Sequence, residues 1–221
     1  MRIPSFSQAP AIAAALLLGS LLVACGQSSA QAPKATADSG NSEMPANTSI
    51  AVFAGGCFWC TEADFDKVPG VLETISGYIG GNVDKPTYEQ VSAGTTGHIE
   101  AVQVRYDASK TSYTKLLEAY WPTIDPITAN AQFCDHGPQY RSAIFYANAE
   151  EQAQAEASKA ALQASGRFKR EIVTELLPMT TFYPAEDYHQ DYYQRNPLRY
   201  AYYRNGCGRD ARLEKLWGKK H

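Results

Sequence analysis

One stretch of the sequence constrains the fold most. It consists of a short apolar run, two glycines and a segment rich in cysteine and aromatic residues. Residues 49–54 (Ser-Ile-Ala-Val-Phe-Ala) suit a strand, and Gly55-Gly56 ends it in a turn. The next residues, 57–67, fit a helix that a Pro-Gly pair ends. A strand, a tight turn and a helix therefore follow one another, with Cys57 at the start of the helix.

The remaining elements mix strands and helices without a strict alternation. The sequence predicts strand 71–78, strand 99–106, helix 112–121, strand 142–146, helix 149–166, strand 172–177 and helix 186–195, then an aromatic, basic tail from Tyr200. This mixture favours an α+β fold. We expect a two-layer α/β sandwich with a ferredoxin-like core, in which helices pack on a mostly antiparallel sheet. One domain is predicted, over residues 49–221.

The N-terminal residues are expected to lie outside that domain. The apolar run from Ala11 to Ala24 is too short to span a bilayer and follows Arg2, as in a signal peptide. It ends in Leu22-Val23-Ala24-Cys25, which resembles the lipobox of bacterial lipoproteins. The resemblance implies removal of residues 1–24 and lipidation of Cys25.

Lipidation would place the protein in the cell envelope, in contact with the membrane through the lipid only. Residues 25–48 are rich in Ser, Ala, Pro and polar residues, and predict a flexible tether behind the lipid. Gly26 follows the cysteine where Asp would signal retention, which by analogy favours the outer membrane, facing the periplasm. The alternative is ordinary secretion with a coincidental cysteine.

Charge and cysteine content narrow the function classes. A net charge of −3 indicates no nucleic-acid partner. A domain of this size can bury a core without disulfides. The five cysteines therefore indicate chemistry or anchoring rather than a structural framework.

Cys57 has the setting of a reactive thiol. The free amides and the dipole at a helix N-terminus stabilise an anion and lower a thiol pKa. Phe58 and Trp59 follow at once and could form an apolar wall for a small group such as a methyl. The alternative is that both rings pack in the core and the cysteine is inert.

Glu100 is predicted to point inward at the start of its strand. Alternation places it on one face with Val102, Val104 and Tyr106, the more apolar of the two faces. Burial disfavours the charged carboxylate and raises its pKa, which suits a general acid. The alternative is a strand-end glutamate that reaches water.

Several segments, taken in order, resemble the A-type methionine sulfoxide reductases, the peptide-methionine (S)-S-oxide reductases. The likeness covers about residues 50–200, and the segments are highly specific only in combination. They are Gly-Cys-Phe-Trp at 56–59, Gly-Tyr-Ile-Gly-Gly at 77–81, Pro-Thr-Tyr at 86–88, Gly-His-Ile-Glu-Ala-Val at 97–102, Asp-His-Gly-Pro-Gln-Tyr-Arg-Ser at 135–142 and Phe-Tyr-Pro-Ala-Glu-Asp-Tyr-His-Gln at 182–190.

The resemblance implies a mechanism and a catalytic domain over residues 49–221. Cys57 would attack the sulfur of methionine sulfoxide, free or in proteins, while Glu100 protonates the departing oxygen with help from Tyr88 and Tyr140. Phe58 and Trp59 would enclose the substrate methyl and select one epimer, and Asp135 and Tyr192 would position the substrate.

The resemblance also implies how the enzyme is regenerated. Cys57 would become a sulfenic acid, condense with a second cysteine and be restored by an external, thioredoxin-like dithiol. No metal or organic cofactor is implied, and a monomer is expected.

The resolving cysteine is the point at which this sequence departs from the family. Cys60 replaces the usual glycine, and the C-terminus lacks the usual glycine-rich tail with its cysteine pair. Cys207 is the first choice, because it lies between glycines in a segment expected to be mobile. Cys60, in a C-x-x-C pair, and Cys134, beside a predicted pocket residue, are its rivals.

Two other functions remain open from the sequence. A thiol–disulfide oxidoreductase could use Cys57 and Cys60 alone, but it would leave Glu100 without a role. A metal-binding lipoprotein could bring Cys57, Cys60, Cys134 and Cys207 together on zinc, although only one pair has the short ligand spacing. Insulin reduction would identify the first, and metal analysis the second.

Overall fold

A computed structural model describes residues 46–218. The expectations for the leader 1–24, for Cys25 and for nearly all of the tether lie outside the described residues. Within 46–218 there is no helix long and apolar enough to cross a bilayer.

The predicted strand–turn–helix unit is confirmed, with the strand β1 at Thr48–Gly55 and the helix α1 at Phe58–Phe65. The remaining strands are β2 Val71–Ile79, β3 Ile99–Asp107, β4 Ala131–Gln132, β5 Asp135–His136, β6 Ser142–Tyr146, β7 Glu175–Pro178 and β8 Tyr183–Pro184. The remaining helices are α2 Tyr88–Ser92, α3 Tyr113–Tyr120, α4 Ala149–Ala164, α5 Tyr192–Arg195, α6 Pro197–Gly206 and α7 Arg209–Trp217. The structure is therefore a mixed α+β fold, as predicted.

The main sheet has the strand order β7-β6-β1-β3-β2-β8 and is mixed. Its pairs are antiparallel except β6 with β7, which run parallel. The register sets Gly55 opposite Ser142 and Tyr78 opposite Glu100. One end of the sheet is therefore formed by the last residues of β1 and β2 and the first residues of β3 and β6. The candidate site lies at that end.

The two faces of the sheet are covered differently. Phe53 packs on one face against rings from helices, with centroids 4.8 Å from Phe65 and 5.2 Å from Tyr120. Val52 and Ala54 lie in a second buried cluster, against which Met179 and Phe182 pack. Because both faces are covered, Ile99 and Ala101 are as buried as the predicted inward face of β3.

The C-terminal prediction needs the largest correction. The aromatic, basic tail that was expected to be mobile forms the helices α6 and α7, which meet at Gly208 with φ of 66°. The predicted helix 186–195 is wrong as one element, since Asp191 at φ 52° separates a 3₁₀ turn, Asp187–His189, from α5. The strand predicted at 172–177 begins only at Glu175.

Candidate active site

The turn before α1 fixes the position of Cys57. Gly56 has φ of 80°, and a Cβ there would fall 2.4 Å from the Cβ of Gln132, so only glycine fits. Cys57 is the residue immediately before α1, and its carbonyl oxygen accepts a hydrogen bond from the amide of Cys60 at 3.1 Å. Its side chain is buried, with 6% exposed.

The expectation that the helix N-terminus lowers the pKa of Cys57 is wrong. Burial raises that pKa well above the ordinary range, and Cys60 and Glu100 act in the same direction. The amide of Phe58 instead donates to Oε2 of Glu100 at 3.1 Å, and the Cys57 side chain makes no capping bond. The first amide of the helix therefore stabilises the carboxyl group rather than the thiol.

Glu100 has the predicted inward position and raised pKa. It is 2% exposed, and burial raises its pKa to about 8, against the opposing effect of the Phe58 amide. The nearby Asp135 carboxyl raises it further. Glu100 is therefore mostly protonated at neutral pH and can act as an acid.

The predicted residues surround one small cavity of about 60 Å³. The lining residues are Cys57, Phe58, Trp59, Tyr88, Glu100, Asp135, Tyr140 and Tyr203. Tyr192 does not line it, and stacks instead on the Trp59 ring with centroids 3.8 Å apart. The rings of Phe58 and Trp59 form the aromatic wall of the cavity, and Tyr192 packs on Trp59 without lining the cavity.

The phenols in the cavity remain hydrogen-bond donors at neutral pH. Burial, followed by the charge of Glu100, raises the pKa of Tyr88 to about 12. The same causes, in the same order, raise the pKa of Tyr140. Both hydroxyl groups can therefore donate to an oxygen atom bound in the cavity.

Tyr203 is the lining residue that sequence reasoning missed. It lies on α6 and donates to Oδ2 of Asp135 at 2.5 Å. Burial and the neighbouring Cys57 raise its pKa, so it too stays protonated. Pro197, at the first position of α6, is the signal that the sequence offers for this helix.

Further hydrogen bonds hold Tyr88 and Trp59, which line the cavity, in position. The Glu186 carboxylate accepts from the Tyr88 amide at 2.8 Å and from the Tyr78 hydroxyl at 2.9 Å. The Trp59 indole donates to Nδ1 of His189 at 3.0 Å, which leaves the imidazole proton on Nε2. Burial lowers the pKa of His189, so the ring is neutral.

The cysteines form two separate pairs. Cys134 and Cys207 are joined by a disulfide, whereas Cys57 and Cys60 are buried free thiols. The hydrogen bond with Cys57 lowers the pKa of Cys60 to about 7, against burial, and Arg209 and Arg204 lower it further. One proton is therefore shared within the Cys57–Cys60 pair.

The family model described as peptide methionine sulfoxide reductase matches residues 49–221. The chain belongs to the peptide methionine sulfoxide reductase family. Its members are thiol-dependent oxidoreductases, and the chain is an enzyme of this class. The thiol, the buried acid and the aromatic wall of the cavity agree with that membership.

Curated relatives are similar over nearly their whole length. The MsrA peptide methionine sulfoxide reductase of Halalkalibacterium halodurans is 55% identical over 169 residues, which cover 76% of this chain and 96% of the relative. The corresponding protein of Bacillus licheniformis is 51% identical over 178 residues, which cover 80% and 98%.

Solved structures give the same result. The reduced form of Mxr1 from Saccharomyces cerevisiae has a TM-score of 0.65 and 31% identity, over 70% of this chain and 88% of that one. Methionine sulfoxide reductase A of Corynebacterium diphtheriae has a TM-score of 0.62 and 34% identity, over 69% and 77%.

The zinc alternative does not match the positions of the cysteines in this reductase. Among residues 46–218, the one group of three metal-ligand atoms close together comprises Cys134, Asp135 and Cys207. Two of the three possible ligand atoms in this group are the sulfur atoms of the Cys134–Cys207 disulfide. Cys57 and Cys60 are not part of that group, so the described residues form no four-thiolate site.

Proposed function

We propose that this enzyme reduces the S epimer of methionine sulfoxide, free or within proteins, and so repairs oxidised proteins, with Cys57 as the nucleophile. The observation that carries the proposal is the shared cavity. A thiol, a carboxyl group protonated at neutral pH and two donating phenols face the same 60 Å³ space. A sulfoxide needs this set, because its sulfur is attacked while its oxygen must be protonated.

The proposed reaction balances without a metal or an organic cofactor. The Cys57 thiolate attacks the sulfoxide sulfur as Glu100 transfers a proton to the oxygen. Tyr88 and Tyr140 donate hydrogen bonds to that oxygen as its charge develops. The oxygen passes to Cys57, which becomes a sulfenic acid, and methionine leaves with its sulfur reduced.

Phe58 and Trp59 are proposed to enclose the methyl group. Phe58 is 1% exposed, and Trp59 is fixed between Tyr192 and the hydrogen bond to His189. In the S epimer, the methyl would lie against these rings while the oxygen points toward the phenols. If the methyl of the R epimer lay in the same place, its oxygen would point away from Glu100. Asp135, oriented by Tyr203, positions the rest of the substrate.

One turnover without a reductant tests this function. We expect the wild-type enzyme to form about one methionine per molecule from the S epimer and almost none from the R epimer. Cys57→Ser should form none. Cys60→Ser is the matched control, since it removes a thiol one turn away and should still complete the first step. Equal use of both epimers, or methionine from Cys57→Ser, would contradict the proposal.

The first-turnover rate should have a bell-shaped pH dependence. The acid limb reflects loss of the first of the two protons of the thiol pair near pH 7, which leaves one shared proton, and the alkaline limb reflects ionisation of Glu100 near pH 8. Because Glu100 must be protonated, the rate falls as pH rises through its pKa.

Glu100→Gln tests the assignment of the acid. We expect its first-turnover rate at the optimum to drop by about 10²–10⁴-fold, and its residual rate to lose the alkaline limb. Glu73→Gln, an exposed glutamate on the neighbouring strand, is the control and should keep the wild-type profile. An alkaline limb that persists in Glu100→Gln would refute the assignment.

The geometry favours Cys60 over Cys207 as the thiol that resolves the sulfenic acid. Cys60 hydrogen-bonds to Cys57 across one helical turn, whereas Cys207 is bonded to Cys134. We propose that Cys60 closes the first disulfide, with Cys207 and then Cys134 as alternatives. A thioredoxin-like dithiol then restores the pair by disulfide exchange.

Peptide mapping of the enzyme after one turnover tests the resolving cysteine. We expect a disulfide between Cys57 and Cys60, together with an unchanged bond between Cys134 and Cys207. Cys60→Ser should accumulate the sulfenic acid, and Cys207→Ser should resolve it normally. A disulfide from Cys57 to Cys207 would instead establish the order predicted from the sequence.

We also assign a ferredoxin-like core to the fold. The strands β6, β1, β3 and β2 lie side by side in antiparallel pairs. Helix α1 connects β1 to β2, and α3 lies between β3 and β6. This order supports both the ferredoxin-like assignment and the proposal of a mostly antiparallel core.

The protein is proposed to act as a lipid-anchored monomer in the cell envelope, at the outer membrane facing the periplasm. The support is the sequence of residues 11–25, with its short apolar run and its lipobox-like end at Cys25. Residues 25–48 would then serve as the tether between the lipid and the catalytic domain.

Fractionation of cells tests the anchor. We expect the wild-type protein in the membrane fraction, with a lipid-modified Cys25 as its first residue by mass spectrometry. Cys25→Ser should be released from the membrane, while Ser28→Ala is a neighbouring control that should not change the distribution. A soluble wild-type protein with an unmodified Cys25 would contradict the proposal.

A further inference from the structure

Arg209 is a buried cation with incomplete partners. Its side chain is 1% exposed, although it comes from the C-terminal helix α7. Its two Nη atoms donate to the carbonyl oxygens of Gly55 at 3.2 Å and Thr123 at 2.8 Å. Its Nε has no hydrogen-bond partner among the described residues. Burial of a guanidinium is costly unless negative charge lies nearby.

The buried carboxylate closest to Arg209 is shared with a second arginine. Asp64, on α1, lies 4.0 Å from Arg209 and 3.2 Å from a second guanidinium, that of Arg204. Arg204 also pairs with Asp210, which is 57% exposed and in contact with solvent. Two guanidinium groups therefore share the buried carboxylate of Asp64, so both lie close to α1.

Cys60 lies close to the two guanidinium groups. It lies one helical turn before Asp64, so the two side chains project from the same side of α1. It is 1% exposed and its thiol already hydrogen-bonds to Cys57. The charged and titratable groups facing it are Cys57 just before α1, Asp64 on α1, Glu100 on β3, Tyr200 and Arg204 on α6, and Arg209 on α7.

We propose that Arg209 and Arg204 are positioning residues that keep Cys60 as a thiolate, ready to attack the sulfenic acid on Cys57. The inference rests on the proposed function and on Cys60 as the resolving cysteine. It gives the C-terminal helices an electrostatic role in place of the expected resolving thiol. Of the groups that face Cys60, Cys57 and the two arginines stabilise its charge, and Asp64 opposes it.

The step that these residues assist is balanced. The Cys60 sulfur attacks the Cys57 sulfur, a sulfur–sulfur bond forms and the sulfur–oxygen bond breaks. The oxygen leaves as hydroxide and takes a proton from solvent to become water. The rate of this step depends on the fraction of Cys60 in its thiolate form.

The experiment follows the lifetime of the sulfenic acid against pH after one turnover, using a dimedone trap. The variants are Arg204→Gln, which removes a charge, and Arg204→Lys, which keeps it. Arg209→Lys and Arg209→Met repeat the comparison at the buried position. Arg212→Gln is the matched control, because it removes a cation from α7 that pairs with Asp125 at 2.8 Å.

We expect the rate of wild-type resolution to rise with pH to a plateau, with a midpoint set by the ionisation of Cys60. In Arg204→Gln that midpoint should rise by about one pH unit, so that resolution at pH 7 slows several-fold and recovers in alkali. Arg204→Lys and Arg212→Gln should keep the wild-type midpoint. Titration of the thiolate by ultraviolet absorbance should show the same shift, which a purely structural role would not produce.

The possible results distinguish the proposed role of the two arginines from the assignment of Cys60 as the resolving thiol. If Arg204→Gln and a folded Arg209→Met both keep the wild-type midpoint, this inference is overturned, even while one methionine per enzyme is still formed. If Arg209→Met does not fold, Arg204→Gln alone decides. If Cys60→Ser resolves the sulfenic acid at the wild-type rate, the assignment of Cys60 fails instead.

Discussion

The hydrogen bond from the Phe58 amide to the Glu100 carboxyl is the interaction on which the site depends. It joins the second residue of β3 to the first residue of α1 across 42 positions of sequence. The bond requires the tight turn at Gly56 and the register that sets Glu100 opposite Tyr78. Together these place the thiol, the acid and the aromatic wall in one cavity.

This bond also decides how charge is distributed. The first amide of the helix is directed to Glu100 rather than to Cys57, and it opposes the rise that burial causes in the pKa of Glu100. The raised pKa of Glu100, about 8, is the balance between burial and that amide. Cys57 shares its remaining proton with Cys60 instead. The site thus has a carboxyl group ready to donate and a thiol pair that carries the negative charge.

Local sequence was sufficient to predict the centre of the site. The strand, the two glycines and Cys57 lie within ten residues, so short-range rules placed the thiol correctly. Alternation along β3 was enough to direct Glu100 inward. The pKa of Cys57 could not be predicted in the same way, because its direction is set mainly by burial, which depends on tertiary packing.

The C-terminal region shows where sequence reasoning fails. Whether Cys207 meets Cys57 or Cys134 depends on how α6 packs, and spacing contains no information on that contact. Tyr203 and Arg209 were overlooked because their partners, Asp135 and Gly55, lie 68 and 154 positions away. Such contacts are set by tertiary packing rather than by local pattern.

Titration of the Glu100 carboxyl in the resting enzyme tests the central claim most directly. Carbon-13 NMR of enzyme labelled at glutamate, assigned by comparison with Glu100→Gln, would follow the carboxyl resonance with pH. The account predicts a midpoint near 8, with the group protonated at neutral pH. A midpoint near the ordinary glutamate value of about 4.3 would contradict it, because a carboxylate already ionised at pH 7 could not supply the proton.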